Sequence, residues 1–235
     1  MNYIVMDLEW NQPSKKEELV NCPDPLYGEI IQFGAVKMNA EKQITDRFNA
    51  IVKPIFYTKM HSKVGQITGI DETELAQGRP FAKVYAEFID FCGEDFCFLT
   101  WGKDDIRIIK SNLKIHGICC EPFYPCYNAQ WIYGRQIANT AKQVSLEDAV
   151  AALGEPPFQA HDALNDAMST ALVCRHLDLD SGIKESCIKS RKEKNCVNKK
   201  RSARRRRRCR RPCEKTKDAD KNRGNQSICP NQALK

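Results

Sequence analysis

Apolar side chains divide the chain into a patterned region and a tail. Tyr3–Met6 is a compact apolar run that reads as a strand, and it leads into Asp7-Leu8-Glu9-Trp10. Asn11–Gly28 carries Pro13, Pro23 and Pro25 and reads as a loop. Glu29–Met38 and Ile44–Val52 read as the next two strands, separated by a turn-like Asn39–Gln43. Such close connections favour antiparallel pairing. The period then changes. Phe81, Val84, Tyr85, Phe88 and Ile89 recur at helical spacing, and Gly93 ends that helix. Phe96–Trp101 is another apolar strand. Asp104–His116 is helical, with Ile106, Ile109 and Leu113 on one stripe. A short, weak strand lies around Tyr127. Ser145–Leu153 reads as a helix with Ser145 as N-cap, closed by Gly154-Glu155-Pro156-Pro157. Asp162–His176 is the last helix, its apolar face formed by Ala163, Leu164, Ala167, Met168, Ala171 and Leu172. A meander of strands followed by alternating helices and strands predicts an α/β sandwich.

After Ile183 apolar residues nearly vanish. The segment contains Lys199-Lys200-Arg201, the run Arg204–Arg208, then Arg210 and Arg211. It cannot bury enough surface to offset ordering entropy, so it is expected to be disordered. The overall charge of +7 conceals two halves. Lys184–Lys235 holds 20 Lys+Arg against 5 Asp+Glu, a net of +15, and Met1–Ile183 is net −8. A basic tail suits a polyanion. The expected division is therefore a globular domain over 1–182 and a basic tail over 183–235.

A core of ~180 residues buries roughly 70% of its unfolded surface, enough for one domain without staples. The start lacks a basic n-region, and Asp7 and Glu9 interrupt the apolar stretch, so no signal peptide is read there. No run is long enough to span a bilayer. The expectation is a cytoplasmic protein with no membrane partner. Of its twelve cysteines, the seven in the globular part, Cys22 to Cys174, are then reduced thiols. Cys92, Cys97 and Cys174 fall in apolar contexts and read as core. In the tail, Cys209-x-x-x-Cys213 could open a zinc knuckle, but irregular spacing and the lack of a tail histidine argue against it.

The acidic half holds the candidate chemistry. Alternation in Asp7-Leu8-Glu9 sets both carboxylates on one side of the strand. Carboxylates are costly to bury together unless a cation joins them. A further acidic pair, Asp104-Asp105, follows the strand Phe96–Trp101, and either could point at a site or cap the helix. Asp162 and Asp166 share a helix face. Asp162 reads more simply as an N-cap, and Asp166 lies off the apolar stripe. His161 precedes that helix, and a histidine can serve as general base near neutral pH. Trp10 could stack a base or pack beneath the sheet.

Together, Asp7-x-Glu9, Asp105 after an apolar strand, and His161-x-Ala163-x-x-Asp166 resemble the DEDDh branch of the DnaQ-like 3′–5′ exonucleases. Glu29–Val36, Ile67-Thr68-Gly69-Ile70 and Ser145–Ala149 match in the expected order over about Met1–Leu177. The Asp7–Trp10 and Trp101–Asp105 contexts look like the Eri-1-type and sporulation-inhibitor-type members. The resemblance implies an RNase H-like mixed sheet flanked by helices. It implies two ions, Mg²⁺ or Mn²⁺, held by Asp7, Glu9, Asp105 and Asp166, with His161 taking a proton from the attacking water. It also implies substrate contacts from Leu8 and Trp10. The expected activity is removal of nucleoside monophosphates from single-stranded 3′ ends, RNA weakly favoured over DNA. The alternatives are a DNA-trimming enzyme and a regulatory binding module on the same scaffold. Trp10 stands where many members have a small hydroxyl residue, and Gln32 where an acidic residue is common.

Overall fold

The computed structural model describes residues 1–13, 19–20, 25–120 and 123–187. The elements are β1 (Asn2–Asn11), β2 (Glu29–Met38), β3 (Ile44–Ile51), α1 (Ser62–Thr68), α2 (Glu72–Gln77), α3 (Phe81–Cys92), β4 (Phe96–Thr100), α4 (Asp104–Ile115), β5 (Cys126–Asn128), α5 (Ala129–Gln136), α6 (Leu146–Ala152) and α7 (Ala163–Arg175). The strands form one sheet in the order β3-β2-β1-β4-β5. The meander β1-β2-β3 is antiparallel, and β4 and β5 run parallel to β1. The expected mixed sheet flanked by helices is therefore present.

Strand alternation sorts the core into two layers. Ile4, Met6 and Leu8 point to one face, packed with Phe33, Val84, Phe88, Ile109 and Leu113 from β2, α3 and α4. Tyr3 and Val5 point to the other, packed with Ile132, Ala167, Ala171 and Cys174 from α5 and α7. Cys92, Cys97 and Cys174 are free thiols buried in these layers, as their context predicts.

Several elements differ from the sequence expectation. β1 runs on to Asn11, beyond the expected end at Met6, because β2 pairs with it as far as Asn11↔Glu29. Helices α1, α2 and α5 lack a sustained apolar period and were not anticipated. Local bonds hold two of them. Asp71 and Glu74 form a reciprocal capping box at α2, and Asn128 Oδ1 accepts from Trp131 N–H at 3.0 Å at α5. A helical stretch over 179–187 also crosses the expected domain edge at 182/183. Leu179 and Ile183 pack into the core, Arg135 pairs with Glu185 at 3.3 Å, and Cys187 meets the Tyr127 hydroxyl at 3.8 Å. These contacts carry the domain past Ile183. The zinc-knuckle and disordered-tail expectations for 188–235 lie outside the described residues. Among the described residues, no helix is long and apolar enough to cross a membrane.

Candidate active site

Three structural details bring the acidic residues together. The first is a difference in strand length. β4 pairs with β1 only over Asn2–Val5, so the β1 edge beyond is free of ladder bonds on that side. Leu8 N–H donates instead to Asp105 Oδ1, at 3.2 Å. That bond holds the first turn of α4 against the β1 edge carrying Asp7 and Glu9. Of the pair Asp104-Asp105, it is Asp105 that this bond draws to the β1 edge. Asp105 is 5% exposed. Asp104, far more exposed, lies at the rim of the same cavity and pairs with Arg107 at 3.1 Å.

The second detail is Gly34, which lies opposite Asp7 in the β1–β2 register. A Cβ at Gly34 would fall 2.0 Å from the Ala163 carbonyl carbon and 2.2 Å from Leu164 N. Only glycine lets the start of α7 sit this close to β2. Asp166, in the first turn of α7, is thereby delivered beside Asp7.

The third detail fixes the loop before α7. Gln32 Nε2 donates to Asp162 Oδ2 at 2.9 Å, and Gln32 Oε1 accepts from Ala163 N–H at 3.2 Å. Asp162 Oδ1 accepts from Asn165 N–H at 2.9 Å, the N-cap anticipated for it. A neutral amide at position 32 can donate to Asp162 and accept from α7 at once, which a carboxylate cannot do. His161 has φ 62°, a left-handed conformation uncommon outside glycine. Its N–H donates to Asp166 Oδ2 at 3.0 Å. Strained backbone over-determined by its surroundings is a frequent mark of a functional position.

The result is a cavity of about 490 Å³ lined by Asp7, Glu9, Asp105, Asp166, His161 and Trp10, with Trp101, Lys103, Gln130 and Gln143 on its walls. Trp10 takes the packing role considered for it and also borders the cavity. It packs over Gly28, toward the α3–α4 layer. Leu8 is 2% exposed, its side chain packed in the core. Leu8 nonetheless borders the cavity, and its backbone N–H holds Asp105 in place. Gln32 and Gly34 were not legible as site residues, because each acts through a neighbour that only folding supplies. A second, mostly apolar cavity of about 390 Å³ between α6 and α7 shares His161 and Asp166.

Crowding dominates the electrostatics. Burial, then the charges of Asp105, Asp166 and Glu9, hold the Asp7 carboxyl well above the usual range. Glu9 is pushed up to about 8 by burial, with Asp166 and Asp105 adding repulsion. Asp105 rises to about 7 through burial, against the opposing Leu8 N–H bond. Asp166 is raised by burial, against the His161 N–H. Such a cluster is compatible with ionised carboxylates at neutral pH when a cation joins them. The donor set fits one, since Glu9, His161 and Asp166 offer ligand atoms within 4.8 Å of one another.

An RNase H-like sheet with a shared carboxylate cavity defines the class of the domain as a phosphodiester hydrolase of the nuclease type. The family model described as Exonuclease (RNase T) matches residues 4–174, and the chain belongs to that family. It is 31% identical over 154 residues to a PolC-type DNA polymerase III of Thermotoga maritima. That match covers 64% of this chain and spans only 10% of the polymerase. The fold is also that of the nuclease domain of 3′hExo, a DEDDh family member solved with rAMP. The TM-score is 0.65 at 21% identity, over 76% of this chain and 92% of that one. A 3′-exonuclease solved in recognition of the 3′ end of the histone mRNA stem-loop gives 0.64 at 20% identity, over 76% and 82%.

Proposed function

We propose that this protein is a 3′–5′ exonuclease that removes nucleoside monophosphates from the 3′ ends of single-stranded RNA or DNA. One observation carries the proposal: Asp7, Glu9, Asp105, Asp166 and His161, drawn from three separate parts of the chain, line one cavity. Asp7, Glu9, Asp105 and Asp166 would hold two divalent cations. Their hard oxygen donors suit Mg²⁺ or Mn²⁺. When bound, such ions lower the cost of forming the nucleophile and stabilise charge on the leaving 3′ oxygen.

The chain's own residues do the rest. His161 sits at the rim, exposed enough to exchange protons with solvent, and takes the proton of the attacking water. Asp166 serves twice, as a cation ligand and as the acceptor that fixes the His161 backbone. Trp10 and Trp101 offer aromatic faces beside the cavity on which a terminal base can stack. The basic tail holds polyanion at large through its phosphates, without reading sequence. Of the two substrates, RNA is taken as weakly favoured.

Matched 3′-labelled and 5′-labelled RNA and DNA oligomers, with Mg²⁺, Mn²⁺ or EDTA, test the proposal. Expected is stepwise release of mononucleotide from the 3′ label, abolished by EDTA. Internal cleavage, or equal turnover in EDTA, refutes it. Deleting residues 190–235 should weaken oligomer binding and flatten its salt dependence, with turnover at saturation little changed.

A further inference from the structure

Helix α4 carries a second feature, on the side away from the core. Lys103 at its N-cap, then Arg107, Lys110 and Lys114, recur at spacings of four, three and four residues. At 100° per residue they fall within about 60° of one another, one narrow stripe running ~17 Å along the helix. The stripe starts at the active site, because Lys103 lines the carboxylate cavity. It runs into a groove of about 300 Å³ lined by Pro25, Tyr27, Arg107, Ile108, Lys110 and Lys114.

Tyr27 is 55% exposed, unusual for so large an aromatic side chain. The Arg107 guanidinium lies 6.0 Å from its ring centroid. Lys110 Nζ lies 4.7 Å from the Phe123 ring centroid. Residues Met1–Ile183 are net −8, so four cations in a row stand against the charge of the domain around them. A line of cations with an exposed ring beside it matches a single nucleic-acid strand, whose phosphates recur along one side and whose bases have π faces. An acidic peptide would engage the cations but carries a ring only where its sequence supplies an aromatic residue, whereas every nucleotide carries one.

We propose that this stripe is the track for the single-stranded part of the substrate leading away from the scissile bond. Its phosphates are gripped by Lys103, Arg107, Lys110 and Lys114, and a base is stacked on Tyr27. The inference rests on the nuclease proposal above and adds where the rest of the strand lies. The carboxylate cavity acts on the terminal linkage. The stripe sets how much a longer strand is preferred over a short one.

The test uses the full chain, so that the tail is common to every sample. Lys110→Glu/Lys114→Glu and Tyr27→Ala are compared with wild type in kcat/KM on a dinucleotide and on a single strand of about a dozen nucleotides. The dinucleotide is too short to reach the groove, and its cleavage should stay unchanged, which also reports a folded protein. The advantage of the longer strand over the dinucleotide should fall roughly tenfold in the double variant. In EDTA, fluorescence anisotropy should give the double variant a salt slope shallower by about 1.4, from ~0.7 per lost phosphate contact. A double variant with the wild-type length advantage and the wild-type salt slope overturns the track. If wild type cleaves neither substrate, the nuclease proposal fails by itself, and the EDTA binding comparison still decides the track.

Discussion

Removing cations from this protein should make its stability fall as pH rises through neutrality, the reverse of ordinary acid denaturation. The sign follows from the carboxylate cluster. Each of Asp7, Glu9, Asp105 and Asp166 has a folded-state pKa above its ordinary value. A group raised in this way is neutral and harmless at pH 5, and its stabilising protonated form is lost as pH climbs through the folded pKa. For Glu9 the window runs from 4.5 to about 8. At ~1.4 kcal/mol per pH unit that one residue represents on the order of 5 kcal/mol. Asp105 covers 3.8 to about 7. The four share the same repulsions, so the contributions do not add, and a net loss of about 3–5 kcal/mol between pH 5.5 and 8.5 is expected. Urea unfolding at both pH values in EDTA, followed by tryptophan fluorescence, measures it. Mg²⁺ should restore most of the lost stability at pH 8.5, because a cation that binds only the folded state stabilises it by mass action. Glu9→Gln, which removes one charge at constant shape, should be more stable than wild type at pH 8.5 in EDTA and unchanged at pH 5.5. A flat or rising stability from pH 5.5 to 8.5 in EDTA, or a Glu9→Gln protein no more stable than wild type at pH 8.5, would refute the crowded-carboxylate argument.

Three further outcomes follow from named contacts. Asp105→Asn should abolish turnover and Asp104→Asn should leave it near wild type, since Asp105 is buried and bonded to Leu8 N–H while Asp104 stands exposed at the rim and pairs with Arg107; steady-state rates on one oligomer decide, and the opposite order reverses the assignment. His161→Ala should lower kcat by about 10²–10⁴-fold, with cation affinity by calorimetry little altered; loss of cation binding would make His161 a ligand instead. Gly34→Ala should cost about 1–3 kcal/mol by overpacking and lower kcat at least tenfold, because the new methyl pushes the Ala163 backbone and carries His161 and Asp166 away from Asp7; unchanged activity would mean that α7 tolerates the shift.

Much of this architecture was legible in local pattern. The strands Glu29–Met38 and Ile44–Ile51 and the helices from Phe81, Asp104, Leu146 and Ala163 follow from apolar period and breakers, which depend only on neighbours in sequence. The caps at Ser145 and Asp162 follow from the same local chemistry. Helices α1, α2 and α5 escaped, because six to eight residues give too few turns for a period to emerge, whereas the equally short α6 was marked by its Ser145 cap and the Gly-Glu-Pro-Pro that closes it. The edge at Ile183 also escaped, because composition drops there while Glu185 and Cys187 still find partners on Arg135 and Tyr127.

The chain by itself marked the candidate residues, since the ordered motifs that resemble the exonuclease family single out Asp7, Glu9, His161 and Asp166. Tertiary structure alone decided how they meet. The choice of Asp105 over Asp104 depends on β4 ending where Leu8 N–H is left without a ladder partner. Asp166 lies off the apolar stripe of its helix, yet close packing of α7 on Gly34 turns that face toward Asp7. Gln32 looked like a departure from pattern, and it is the amide that ties Asp162 and Ala163 to the sheet. Each of these depends on groups more than twenty residues apart in sequence, and local period carries no information about such distances.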